Sequence, residues 1–172
     1  MSETSDKKNS SLRSDIYFLL AKILVLAVII TVMFTVIFGF VRVSDMSMKP
    51  SVMEGDLILY YRMQKNFNCG DLVVLNNNGK LQIRRVVAVA GDTVDITEDG
   101  FKVNGNIQQE SNIYTATEAF MEGITFPVTL ADGEIFVLGD KRDTAEDSRI
   151  YGAVKESATR GKVVSILRRR NF

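Results

Sequence analysis

The chain has 172 residues, 46% of them hydrophobic and 24% charged, enough for one apolar anchor and one domain with a core of its own. Its 21 basic and 21 acidic side chains balance, and residues 43–172 alone carry 16 basic against 18 acidic groups, which excludes the broad basic footprint of nucleic-acid binding. With no histidine and a single cysteine, Cys69, an intramolecular disulfide is excluded and neither a zinc site nor another cofactor is expected.

Residues 1–15 are polar and too poor in apolar side chains to offset ordering, which predicts a short flexible tail. From Ile23 to Val41 run 19 residues without a charge, about 28 Å as a helix, and Tyr17 to Leu20 extend the segment past Lys22, whose amine can snorkel to an interface. Residues 16–42 therefore read as a transmembrane anchor. A cleaved signal peptide would have a shorter apolar core and small residues at its end, whereas this segment closes with Phe38-Gly39-Phe40-Val41-Arg42. Lys7, Lys8, Arg13 and Lys22 precede the span and only Arg42 follows closely, so the positive-inside bias places the N-terminus in the cytoplasm and residues 43–172 outside.

Directly after the anchor comes Val43-Ser44-Asp45-Met46-Ser47-Met48-Lys49-Pro50-Ser51-Val52. Pro50 disfavours helix at Lys49 and predicts a turning backbone that presents Ser47 between two methionines. A serine hydroxyl is a weak nucleophile until a neighbour takes its proton. Without histidine, a nucleophilic Ser47 needs lysine as that neighbour. Met46, Met48 and Met53 are candidates for an apolar patch at the membrane, or for core filler.

The remainder reads as mainly β. Leu57 to Tyr61, Leu72 to Leu75 and the longer valine-rich run from Lys80 to Ala90 are strand candidates. Thr93 to Thr97 alternates, and the turn pairs Asp99-Gly100 and Asn104-Gly105 predict two consecutive hairpins around Phe101-Lys102-Val103. Residues 106–132 predict a loop-rich excursion with one strand near Ile124 to Thr129, and Ile135 to Leu138 and Val163 to Leu167 supply the closing strands. Arg84 and Arg85 are neighbours in an apolar strand, so one of them points inward and needs a carboxylate. The charge-rich stretch Gly139 to Arg149 can supply it, or can be a solvated turn.

Taken together these stretches resemble bacterial type I signal peptidases of the Gram-positive type, membrane-anchored serine endopeptidases that remove signal peptides with a serine and lysine dyad. Ser47-Met48-Lys49-Pro50 is similar to the family's nucleophile motif, Gly70-Asp71-Leu72-Val73-Val74 to its second signature, and Arg85 through Gly91-Asp92 to most of its lysine motif. Gly139-Asp140, Arg142-Asp143, Asp147-Ser148-Arg149, Gly152 and Gly161-Lys162 follow at suitable spacing. The resemblance implies an antiparallel β domain of signal peptidase I type on one N-terminal transmembrane helix. It also implies Ser47 as nucleophile, a substrate groove beside Asp45, Met46, Met48 and Ala145, and a structural ion network of Arg85, Asp147 and Arg149. The partners it implies are the lipid membrane and exported precursor proteins, which would add a strand to the groove.

Three positions depart from that family. Where it has its general-base lysine this chain has Arg84. A guanidinium stays protonated, with roughly one in a million neutral at pH 7, against about one amine in ten for a lysine tuned to about 8. A serine that orients the lysine is replaced by Ala145, and Asp45 stands where the family has serine or glycine near the oxyanion hole. Lys141 and Lys49 are the candidates for a relocated base, and a salt bridge from Arg84 to Asp45 or Asp147 would close the site. Two functions therefore stay open beside an anchored β domain with some other partner. One is a signal-peptide endopeptidase with an atypical base. The other is a catalytically degenerate relative that binds precursors or pilus subunits and assists surface-fibre assembly.

Overall fold

The computed structural model describes residues 3–110 and 113–168, and the chain forms two units, residues 1–38 and residues 39–172. The first is one long helix, α1 (Glu3–Ile37). Its stretch Asp15–Ile37 has a mean hydropathy of 2.7 and is long and apolar enough to cross a membrane. Thr31 and Thr35 donate their hydroxyls to the carbonyls of Ala27 (2.8 Å) and Thr31 (2.9 Å), the way a polar side chain is satisfied without water. Two expectations are corrected here. Residues 3–15 continue the helix instead of forming a flexible tail, because each residue added to a nucleated helix gains a backbone hydrogen bond. Phe38–Arg42, placed in the anchor by its apolar run, is a strand, β1, since a short apolar run fits either period.

The second unit is mainly β and antiparallel. It holds β2 (Leu57–Tyr61), β3 (Leu72–Asn77), β4 (Lys80–Ala88), β5 (Thr93–Thr97), β6 (Gly100–Val103) and β7 (Asn106–Ile107). After the excursion come β8 (Val128–Thr129), β9 (Glu134–Leu138), the short helix α2 (Ser148–Tyr151), β10 (Val154–Lys155) and β11 (Gly161–Leu167). A seven-stranded sheet runs in the order β1-β2-β11-β3-β4-β9-β10, and a four-stranded sheet in the order β7-β6-β5-β8. Both predicted hairpins are present, with Asn104 (φ 52°) and Gly105 (φ 77°) supplying the positive dihedrals of a tight turn. A third hairpin, β3 to β4, turns on Asn78-Gly79, the same kind of pair.

Core packing explains where the Ser47 segment sits. Met48 and Val52 are buried with Val43, Ile58, Tyr60, Val74 and Ile83, so the turn is nailed down on both sides of the serine's downstream neighbours. Burying side chains of this size contributes about 1.5–3 kcal/mol each. Met48 is thus core, while Met46 (51% exposed) and Met53 (42% exposed) remain outside, which divides the expected methionine patch. Two further clusters, around Val73, Val86 and Val137 and around Val94, Phe101 and Phe136, fill the rest.

Candidate active site

Ser47 opens a turn in which the Lys49 N–H donates to the Met46 carbonyl (3.1 Å) and the Val52 N–H to the Met48 carbonyl (2.9 Å). The Ser47 carbonyl accepts from the Lys141 N–H (2.9 Å), tying the turn to the segment after β9. Gly139 permits that approach. A Cβ there would lie 2.2 Å from the Ala145 Cβ and 2.8 Å from the Ser47 carbonyl oxygen. Gly139→Ala is expected to cost about 1–3 kcal/mol by overpacking, read as a lowered midpoint of chemical denaturation, because backbone has to move to admit the methyl.

Arg84 is the inward member of the arginine pair and is 1% exposed. Its Nη1 donates to Ser47 Oγ at 2.7 Å and to the Ile83 carbonyl at 2.6 Å. Nε and Nη2 both donate to the Glu146 carbonyl, at 2.9 and 2.7 Å. Ser47 Oγ in turn donates to Asp45 Oδ1 at 2.7 Å, and the Ser47 backbone N–H donates to the same oxygen at 3.1 Å. The expected direct pair of Arg84 with Asp45 or Asp147 is therefore replaced by a chain: guanidinium to hydroxyl to carboxylate. Asp45 thereby occupies the backbone N–H of Ser47 as well as its hydroxyl.

Arg85 points the other way and braces the same turn. It donates to both Asp140 oxygens (Nε 2.7 Å, Nη2 2.6 Å) and to Ser51 Oγ (3.1 Å), and the hydrogen bonding to Asp140 outweighs burial, raising its pKa above the usual arginine value. The single network expected of Arg85, Asp147 and Arg149 is corrected to two pairs. Register decides it: Arg85 lies opposite Leu138, which sets Asp140 diagonally within reach. Asp147 instead caps α2 and pairs with Arg149 (Nη2 2.9 Å, Nε 2.9 Å), both buried, while its Oδ2 also accepts the Gly139 N–H at 3.0 Å. Arg142 pairs with Glu110 (2.6 Å) and also contacts Thr117, and Arg149 lies over the Phe120 ring (4.5 Å), so these two arginines hold the excursion in place.

A cavity of ≈ 220 Å³ opens over Ser47, lined by Asp45, Met46, Ser47, Lys80, Gln82, Arg84, Thr144 and Glu146. Of the proposed groove residues, Asp45 and Met46 line it; Met48 is in the core and Ala145 is buried against Gly139. Lys49 lines a separate cavity with Met46 and Met53, and Lys141 meets Ser47 through its backbone. Lys80, Gln82, Thr144 and Glu146 escaped the sequence reading, although period-two alternation from Arg84 would have placed Lys80 and Gln82 on its face. Behind the site, burial pushes the Tyr151 phenol above its ordinary pKa against the pull of Arg84. A further cavity, ≈ 690 Å³ between the β5–β6 hairpin and residues 113–119, is lined among the described residues by no serine, cysteine or lysine.

An inner strand of the antiparallel sheet thus places the basic side chain of Arg84 within hydrogen-bond reach of Ser47 on its pinned turn. The chain matches the family model "Signal peptidase, peptidase S26" over residues 16–168. It is 30% identical over 157 residues to signal peptidase I of Bacillus amyloliquefaciens, covering 84% of this chain and 83% of that protein. It is likewise 30% identical over 159 residues to signal peptidase I S of Bacillus subtilis, covering 86% and 83%. A crystal structure of a signal peptidase I from Enterococcus faecalis aligns with a TM-score of 0.46 and 25% identity, over 58% of this chain and 97% of that one. The protein belongs to the peptidase S26 signal peptidase family.

Proposed function

We propose that the protein is a signal-peptidase-type binding protein that receives segments of exported precursors in the groove at Ser47 and does not cleave them. One observation carries the reading: Arg84 Nη1 and Asp45 Oδ1 each hold Ser47 Oγ at 2.7 Å. The side chain at the base position donates a hydrogen bond to the nucleophile and has no lone pair with which to take its proton. Among the described residues the proton acceptor at Oγ is a carboxylate, a weak base for a hydroxyl, and it also blocks the serine's N–H. In this reading α1 anchors the chain with residues 1–15 in the cytoplasm and residues 43–172 outside, and the precursors include pilus subunits whose assembly the protein assists.

The proximity of serine and basic side chain favours a second reading, a working endopeptidase in which Asp45 takes the proton. A labelled precursor peptide incubated with the full chain in lipid nanodiscs separates the two. Native protein and Ser47→Ala are expected to bind it with affinities within about twofold, since only a hydroxyl is lost, and both leave it intact. Cleavage by the native chain that disappears in Ser47→Ala overturns the binding reading in favour of the enzyme.

A further inference from the structure

The ≈ 690 Å³ cavity beside the β5–β6 hairpin runs along an open sheet edge. β7 is the outer strand of the four-stranded sheet, and its far side pairs with no strand among the described residues. The Gln108 N–H donates to the Phe101 carbonyl at 2.9 Å. Because hydrogen-bonded and non-hydrogen-bonded pairs alternate in an antiparallel ladder, the next pair, Ile107 with Lys102, is of the second kind. The Ile107 N–H and C=O therefore point outward from the edge. Ile107 is 55% exposed and lines the cavity, although period two puts its side chain on the face opposite Gln108, which lines it as well. The cavity thus reaches round the edge at which those two backbone groups stand. An edge of this kind is a template for a further strand.

Apolar surface and charge decide which strand fits. Ile96, Phe101 and Ile113 give the cavity an apolar lining. Its carboxylates are Glu98, Asp99, Glu110 and Glu118, and two of these are neutralised, Asp99 by Lys102 (2.8 Å) and Glu110 by Arg142 (2.6 Å). Glu98 and Glu118 have no ion-pair partner among the described residues, and no lysine or arginine lines the cavity there. We infer that this groove docks an extended peptide segment of alternating apolar and basic side chains, which adds a strand at β7. The apolar side chains meet Ile96, Phe101 and Ile113, the basic ones meet Glu98 and Glu118, and the Ile107 N–H and C=O hold the main chain. The same carboxylates repel an anionic lipid surface. The groove shares no lining residue with the Ser47 cavity, so this binding does not depend on what happens at Ser47.

Fluorescence anisotropy with the full chain in phosphatidylcholine nanodiscs tests it. The probes are labelled peptides of about eight residues that alternate valine with lysine, or valine with glutamate. At low salt the lysine peptide is expected to bind at least about fivefold tighter than the glutamate peptide, the sum of small exposed charge contacts. In a strand the N–H groups of alternate residues point to opposite edges, so methylating the backbone nitrogens of all valines or of all lysines blocks one edge at a time. One of the two methylated peptides is expected to bind at least about fivefold more weakly than the other, the effect of one lost hydrogen bond. Glu98→Lys with Glu118→Lys, two exposed side chains, is expected to reverse the preference to the glutamate peptide. Equal or tighter binding of the glutamate peptide by the native chain overturns the inference, as do equal effects of the two methylations. A lysine preference that survives the charge exchange places the peptide elsewhere and overturns it too, and so does failure of both peptides to bind. The first two comparisons use the native protein, so they decide the matter even where the double variant does not fold.

Discussion

Replacing Arg84 by lysine and Asp45 by serine together is expected to give the chain signal-peptide cleavage at least about a hundredfold above its native rate, the low end of what a positioned general base contributes. Ser47→Ala in that background is expected to abolish the activity. Both changes are needed in the proposed reading because two separate contacts hold Ser47. Arg84 donates to Oγ at 2.7 Å, so lysine must restore a side chain that can be deprotonated. Asp45 accepts hydrogen bonds from Oγ at 2.7 Å and from the backbone N–H at 3.1 Å, so its removal frees both the hydroxyl and the N–H. Arg84→Lys alone is expected to gain less than about tenfold, since the carboxylate would still hold the nucleophile and draw the new amine into an ion pair. Cleavage of a fluorogenic signal-peptide substrate in nanodiscs between pH 7 and about 10 covers the range of plausible lysine pKa values. A rate that rises fully in the single Arg84→Lys variant would show that Asp45 does not obstruct the site. No gain in the double variant would show that the serine's surroundings, Ala145 included, have drifted beyond repair by two changes.

The parts of this architecture that local chemistry dictates were legible in the chain. Asn104-Gly105 sits in a tight turn because its residues accept positive φ, and alternating Thr93 to Thr97 is a strand because one face meets the core. Phe38–Arg42 was not legible as strand, since its apolar residues continue the helix without a break in composition; what decides is Gly39, whose missing Cβ admits the Tyr60 ring. Ser47 and Arg84 were found from the sequence, but not the contact that joins them. Whether Asp45 would turn away or bind its own neighbour depends on the two-residue Asx arrangement that the Met48 and Val52 anchors impose. The partner of Arg85 depended on strand register, which composition does not carry: Asp140 and Asp147 are equally acidic, and only the pairing of Arg85 with Leu138 selects the first.

Asp147→Ala is expected to destabilise the β unit by about 3–5 kcal/mol, a large share of the 5–15 kcal/mol typical of a folded domain. Asp147 is fully buried and accepts from four donors, the Gly139 N–H and the N–H, Nε and Nη2 of Arg149. Alanine leaves all of them without the carboxylate, and Arg149, 1% exposed, then carries a buried charge whose remaining partners are the Glu118 and Arg142 carbonyls and the Phe120 ring. Urea denaturation of the full chain in micelles, followed by tyrosine fluorescence, reads the loss. The double variant Asp147→Leu with Arg149→Met tests the cause, because removing both charges replaces a stranded cation with apolar packing. It is expected to be more stable than Asp147→Ala. If instead the double variant is the less stable of the two, the loss comes from α2 losing its N-cap and Gly139 its acceptor. In that case Asp147 acts by holding the Gly139 segment, and with it the Lys141 N–H that fixes the Ser47 carbonyl.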